Sequence, residues 1–144
     1  MIRLRQFALA DYDAVFALWQ NAGNGIGLGR SDSREEIAKK LERDPDLFLV
    51  AEDDSHPERS RRIIGTVIGG YDGRRGLVYH LAVEQGWRER GIGKMLMDEV
   101  EQRLKAKGCL RAYLLVKDDA TEVMEFYQHL GWDTFPVKIL GKSF

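Results

Sequence analysis

A mixed α/β domain is the fold class that the sequence predicts, and three observations predict it. Short apolar runs with the character of strands recur at residues 2–5, 47–52, 63–71, 77–83, 110–116 and 135–140. Between them lie segments with helical spacing of apolar side chains, at 11–21, 33–43, 91–107 and 121–130. The third observation is the stretch 79–97, where an apolar run passes through a polar turn and enters a helix at glycine-spaced residues. The resulting order is β-α-α-β-β-β-α-β-α-β. A strand–helix–strand unit in the second half sets the 77–83 and 110–116 strands side by side and parallel. Where such a pair splays apart, a cleft opens at its carboxyl ends.

Each element has a local reason. Ile2-Arg3-Leu4-Arg5 alternates apolar and charged side chains, as a short strand does. Asp11 is placed as an N-cap for a helix to about Asn21, with Val15, Phe16, Leu18 and Trp19 on its apolar face. Four glycines within residues 23–29 require a loop. Ser33 and Glu36 form a capping box for a helix to about Arg43, with Ile37 and Leu41 turned inward. Leu47–Glu52 reads as a buried strand, and the charged segment 53–62, which contains Pro57, as a hairpin loop into the strand 63–71. Asp72-Gly73 is a turn, Gly108 and Gly131 are natural helix ends, and Pro136 marks the last strand as an edge.

Composition limits the function. With 144 residues the chain reads as one domain, 1–144, able to bury roughly two thirds of its unfolded surface. The net charge of −1 provides no global field for nucleic acid or anionic lipid. Cys109 is the sole cysteine, and His56, His80 and His129 lack zinc-like spacing, so no metal is expected. No apolar run reaches the length of a membrane span, and the expected location is cytoplasmic.

An anion site must therefore be local, and Arg88-x-x-Gly91-x-Gly93 supplies one. The first N–H groups of a helix have no intrahelical partner, and the helix dipole favours an anion there. The spacing is not a Walker loop, because Met95 follows Lys94 where Ser or Thr is needed. It is not the dinucleotide fingerprint either, since Gly86, Gly91 and Gly93 do not fit G-x-G-x-x-G.

This loop, the element order and the later run Glu125-Phe126-Tyr127-Gln128-His129-Leu130-Gly131-Trp132 together resemble the GCN5-related N-acetyltransferase (GNAT) family. The layout is also similar to that of its small bacterial YpeA-like members. The resemblance implies an enzyme that binds acetyl-CoA and passes the acetyl group to an amine of a small molecule or protein. By position it implies that Leu81, Ala82 and Val83 offer main-chain groups to the pantetheine arm. Arg88, Glu89, Arg90, Gly91, Ile92, Gly93 and Lys94 would offer N–H groups to the pyrophosphate. Tyr127 would sit near the thioester sulfur and protonate the departing thiolate. On its own, Tyr127 reads first as a packing residue beside Phe126 and Leu130, as aromatic side chains at helical spacing usually are.

The chain departs from its relatives where many carry a glutamate base, near Leu77 or Leu115, and where many carry Asn, at Asp118-Asp119. His80 is the natural candidate for the base, as a near-neutral titrating group in the central strand. Strand alternation sets it on the face opposite Tyr79 and Leu81. His80 reads equally as a histidine hydrogen-bonded on the outer sheet face. Tyr79 and Glu52 are weaker candidates, and a water chain or an amine deprotonated in solution needs no single base. Acceptor recognition is expected from the loop 23–30, the turn 71–75 and the C-terminal strand. Asp32, Asp72, Asp118 and Asp119 are acids that could attract a cationic amine, though each reads first as a cap or solvated turn residue. The edge strand 135–140 could pair across a homodimer. The alternative function is a non-catalytic acyl-CoA-binding sensor.

Overall fold

The computed structural model describes residues 1–23, 26–55, 62–117 and 119–144. Five strands form one sheet: β1 (Ile2–Gln6), β2 (Phe48–Asp53), β3 (Arg62–Tyr71), β4 (Gly76–Val83) and β5 (Ala112–Leu114). They lie in sequence order, antiparallel from β1 to β4, with β5 parallel to β4. Four helices cover it: α1 (Tyr12–Gln20), α2 (Arg34–Arg43), α3 (Ile92–Ala106) and α4 (Thr121–His129).

Alternation along the strands divides the core in two. Leu49, Ala51 and Val67 face the side covered by Ile92, Leu96 and Val100 of α3, against which Phe126 and Tyr127 of α4 also pack. Phe48, Val50 and Ile68 face Val15, Leu18 and Trp19 of α1 and Ile37 of α2. Helix α3 lies close to the sheet because β3 has glycine beneath it. A methyl group at Gly69 would stand 2.7 Å from Val100 Cγ2, and one at Gly65 would stand 3.0 Å from Leu96 Cδ1. No larger side chain fits there without moving the helix.

The expected helix ends are formed. Ser33 Oγ accepts the Glu36 N–H over 3.3 Å at the start of α2. Gly108 has φ +92°, and the Cys109 N–H reaches back to the Leu104 carbonyl at 3.1 Å, closing α3. Asp11 sits at the N-cap position of α1, but its carboxylate takes the Ala8 N–H and the Arg5 guanidinium instead of capping the helix.

Two expectations are corrected. The strand expected over 110–116 forms only at Ala112–Leu114, with Leu110 and Leu115 exposed. The strand expected over 135–140 is not formed. The Val137 N–H bonds the Phe135 carbonyl at 2.9 Å, a tight turn about Pro136 that bends the chain, and a three-residue β5 offers little edge to pair with. Of the 53–62 hairpin loop, residues 56–61 lie outside the described residues, but Asp53 pairs with Arg62 as a hairpin requires.

Candidate active site

The central strand carries a bulge at the expected base. Ile68 pairs with Tyr79 and Thr66 with Ala82, so Val67 alone stands against both His80 and Leu81. The extra residue is absorbed by His80, whose φ is +51°. For a non-glycine residue that conformation costs about 1 kcal/mol or more, and it persists only where the surroundings enforce it. The bulge overturns the alternation argument. Tyr79 and His80 both face the cleft on the α1/α2 side, while Leu81 packs against the α3 core.

That cleft has a volume of about 380 Å³ and is lined by residues 27–29, Ser31, Asp32, Lys40, Tyr79 and His80. His80 Nε2 bonds Asp32 Oδ1 at 2.6 Å, and the edge of the imidazole meets Trp19 with ring centres 4.8 Å apart. Asp32 is 5% exposed, and its second oxygen accepts the Gly29 N–H at 2.9 Å. Tyr12 donates its hydroxyl to the Asp32 carbonyl at 2.6 Å. Burial, aided by the Asp32 and Asp44 charges, pushes the Tyr79 phenol up to about 12, so it stays neutral. Lys40 donates to Asp44 and to the Gly69 carbonyl, and burial pushes its ammonium below the usual range.

On the other edge of β4 the sheet opens. Only Gly76, Leu77 and Val78 pair with β5, at Ala112, Tyr113 and Leu114, so Tyr79–Val83 run on without that partner. Beyond the strand, a 3₁₀ turn at Gln85–Trp87 leads into the glycine-spaced loop. Glu89 and Gly91 both have positive φ, +64° and +80°. Gly91 is the N-cap of α3 with no side-chain hydrogen bond, so Ile92, Gly93 and Lys94 present N–H groups without helical acceptors. A methyl group on Gly91 would meet no heavy atom within 4 Å, so the space above this end is open.

The side chains of the loop are otherwise engaged. Ile92 is buried, Lys94 pairs with Asp98 at 2.6 Å, and Arg90 stacks 4.8 Å over Trp87. Arg88 Nε donates to the Val83 carbonyl at 3.1 Å, and its guanidinium also reaches the Ala22 carbonyl at 3.4 Å.

Tyr127 borders the same core as Leu81, Val83 and Ile92. Its ring lies between Phe126 and Trp132, at 5.2 and 6.5 Å between centres. The Trp132 N–H bonds the Tyr127 carbonyl at 3.0 Å and Gly131 has φ +92°, so the Leu-Gly-aromatic run is a helix-closing device. Burial alone pushes the Tyr127 hydroxyl up to about 12. Tyr127 and His80 thus pack against opposite faces of the sheet, with the unpaired edge of β4 between them.

Other expected residues are placed elsewhere. Glu52 is 1% exposed and holds Arg5 Nε at 2.9 Å, a structural ion pair. Asp72 accepts the Arg74 and Arg75 N–H groups, both at 2.7 Å, and serves its turn. Asp118 lies outside the described residues. Asp32 is the residue whose role the sequence hid. It is both the cap of a 3₁₀ turn and the partner of a histidine 48 positions away, and no spacing rule links the two.

The sequence profile of the acetyltransferase (GNAT) family matches residues 12–132. An acetyltransferase of Pectobacterium atrosepticum is 38% identical over 141 residues, covering 98% of this chain and 94% of that protein. This chain belongs to the acetyltransferase (GNAT) family. An acetyltransferase of Yersinia enterocolitica is 36% identical over the same shares of each chain. This GNAT fold is also shared with the PaiA N-acetyltransferase of Thermoplasma acidophilum, solved with coenzyme A. The TM-score is 0.81 at 21% identity, over 96% of this chain and 93% of that one. Glucosamine-6-phosphate N-acetyltransferase from Arabidopsis thaliana matches at TM-score 0.72 and 17% identity, over 99% and 98% of the two chains. As a GNAT enzyme the protein is an N-acetyltransferase whose donor is acetyl-CoA. Its uncapped α3 start, open space above Gly91 and unpaired β4 edge suit a ligand with a diphosphate and an amide-rich arm. Among the described residues no cluster of three or more His, Cys, Asp or Glu could hold a metal, and no helix is long and apolar enough to cross a membrane.

Proposed function

We propose that the chain transfers the acetyl group directly from acetyl-CoA to an amine of a small molecule or a protein, with His80 as base and Tyr127 as acid. The observation that carries this reading is the unpaired edge of β4, which ends at an uncapped helix start and has a protonated tyrosine on one side and a histidine-lined cleft on the other. The N–H groups of residues 89–94 hold the diphosphate, since the Arg88 N–H is already donated to the Gln85 carbonyl at 3.4 Å. Ile92 contributes main chain only because its side chain is buried. Leu81, Ala82 and Val83 offer main-chain groups to the pantetheine arm.

The chemistry then balances. His80 takes a proton from the acceptor ammonium, and the freed nitrogen lone pair attacks the thioester carbonyl. The C–N bond forms, the C–S bond breaks, and the Tyr127 hydroxyl gives its proton to the departing thiolate. The nitrogen sheds its second proton, which returns through solvent to the Tyr127 oxygen and leaves the neutral amide. Burial that keeps Tyr127 neutral keeps that proton available. Isothermal titration with acetyl-CoA, followed by an amine-library screen for thiol release, tests the reading. Saturable heat and a hit among the amines are expected; no binding at millimolar acetyl-CoA would overturn it.

The reading extends to assembly and location. Exposed Val137 and Ile139 are apolar side chains that suit burial against a second copy in a homodimer. Light scattering on the purified protein checks that. The lone buried thiol of Cys109 suits the reducing cytoplasm, which fractionation of the native host tests.

A further inference from the structure

We infer that Asp32 is a positioning residue that fixes the tautomer of His80 and ties the base to the glycine-rich loop. The inference rests on the reading of His80 as the base and deepens it. An ionised carboxylate only accepts hydrogen bonds. At 2.6 Å from Asp32 Oδ1, His80 Nε2 must therefore carry the proton, which leaves the neutral ring its lone pair on Nδ1. Nδ1 bonds no described residue, so the ring has one nitrogen held and one available to take a proton. When Nδ1 takes the acceptor's proton, the imidazolium forms beside a carboxylate already in place, as in other histidine bases oriented by an acid.

The geometry around Asp32 shows why this acid is more than a turn cap. Its other oxygen holds the Gly29 N–H at 2.9 Å, and its carbonyl takes the Tyr12 hydroxyl at 2.6 Å. The loop that borders the cleft and the bulged residue of β4 thus meet on one buried carboxylate, while the start of α1 holds the backbone of the same residue. The strained φ of His80 aims its ring at this acid, and the edge contact with Trp19 limits ring rotation. The other charged and titratable groups lining the cleft are Lys40 of α2, committed to Asp44 and the Gly69 carbonyl, and Tyr79 of β4. Neither competes for Nε2.

Two measurements on the full chain test the inference. Nitrogen-15 NMR of histidine-labelled protein, with His80 assigned through His80→Gln, reads the tautomer without any substrate. The parent should show His80 protonated at Nε2, and Asp32→Asn should lose that preference, because an amide can donate as well as accept. The second measurement compares an alkylamine, which arrives as an ammonium ion, with hydroxylamine, which arrives neutral. Asp32→Asn should lose about 100-fold or more in kcat with the alkylamine, as removal of a general base does, yet change little with hydroxylamine or in coenzyme A affinity.

Equal losses with both acceptors would mark Asp32 as merely structural and overturn the inference. So would a parent in which His80 carries its proton on Nδ1, and this reading stands even if Asp32→Asn does not fold. A parent that binds acetyl-CoA but acetylates no amine would instead overturn the assignment of direct amine transfer, leaving the tautomer result intact.

Discussion

Gly93, in the first turn of α3, lies against the ring of Phe126 from α4: a methyl group on Gly93 would stand 3.2 Å from Phe126 Cζ. The end of α3 proposed to hold the diphosphate therefore sets the position of the helix that carries Tyr127. Gly93→Ala should raise intrinsic helix stability by up to about 1 kcal/mol while pushing Phe126, and α4 with it, outward by a few tenths of an ångström. Stability to urea should change little, whereas kcat should fall several-fold, since small misplacements of reacting groups are costly. Unchanged kcat alongside unchanged stability would show that α4 yields without moving Tyr127.

Tyr127→Phe isolates the hydroxyl from the ring. The ring packs between Phe126 and Trp132, and Phe keeps that packing. The hydroxyl makes no hydrogen bond to a described residue, so its removal leaves no buried partner unpaired. Steady-state kinetics should show kcat down by about 100-fold or more, the usual contribution of a general acid, with coenzyme A affinity within about twofold by calorimetry. The alkaline limb of the parent's activity should begin above the ordinary tyrosine value of about 10, because burial keeps the neutral, proton-donating form of Tyr127 to higher pH. Loss of turnover already at pH 9 would assign that limb to another group.

The features that could be read in the sequence are those in which one short segment determines its own conformation. Ser33 and Glu36 lie three apart and cap α2; Gly108 and Gly131 follow apolar helical runs and close α3 and α4. The glycine-spaced start of α3 is of the same kind. What stayed hidden depends on distant segments. Nothing between Tyr79 and Ala82 announces a bulge, because the extra residue is set by register against Thr66 and Ile68, and His80 rather than glycine adopts the positive φ. The contact of His80 with Asp32 depends on that bulge, so strict alternation set His80 on the wrong face. The 135–140 tail failed for the converse reason: its residues favour a strand, but the tight turn at Pro136 and a short β5 leave it without a partner.

Gly91 offers a separable test of the loop. Its φ of +80° is one that an alanine adopts at a cost of about 1 kcal/mol, yet the added methyl would meet no protein atom within 4 Å. Gly91→Ala should therefore lower unfolding free energy by about that amount in urea titration. If the open space is where the diphosphate sits, coenzyme A affinity should fall by more than tenfold, far beyond what the stability change explains. A variant that keeps its affinity would move the diphosphate away from this loop.

Arg5 is the most exposed test of the fold apart from the site. Its guanidinium bonds Glu52 at 2.9 Å and grips both oxygens of Asp11, at 2.7 and 3.0 Å. Glu52 is 1% exposed, so Arg5→Met would take one charged hydrogen-bond partner from a buried carboxylate, at a cost of about 1.5–3 kcal/mol of stability at neutral pH. Burial pushes the Asp11 carboxyl up, but the hydrogen bonds from Arg5 and the Ala8 N–H outweigh it and hold it below the usual carboxylate range. A carboxyl lowered in the folded state stabilises the fold above its unfolded pKa of about 4 and loses that contribution as pH falls through the lower folded value. The parent should therefore lose stability steadily below about pH 4, and Arg5→Met should show a shallower acid limb, because the pairing that protonation would break is already gone. Urea midpoints measured from pH 7 down to pH 3 for both proteins check this, and parallel acid limbs would assign the pH dependence to other carboxylates.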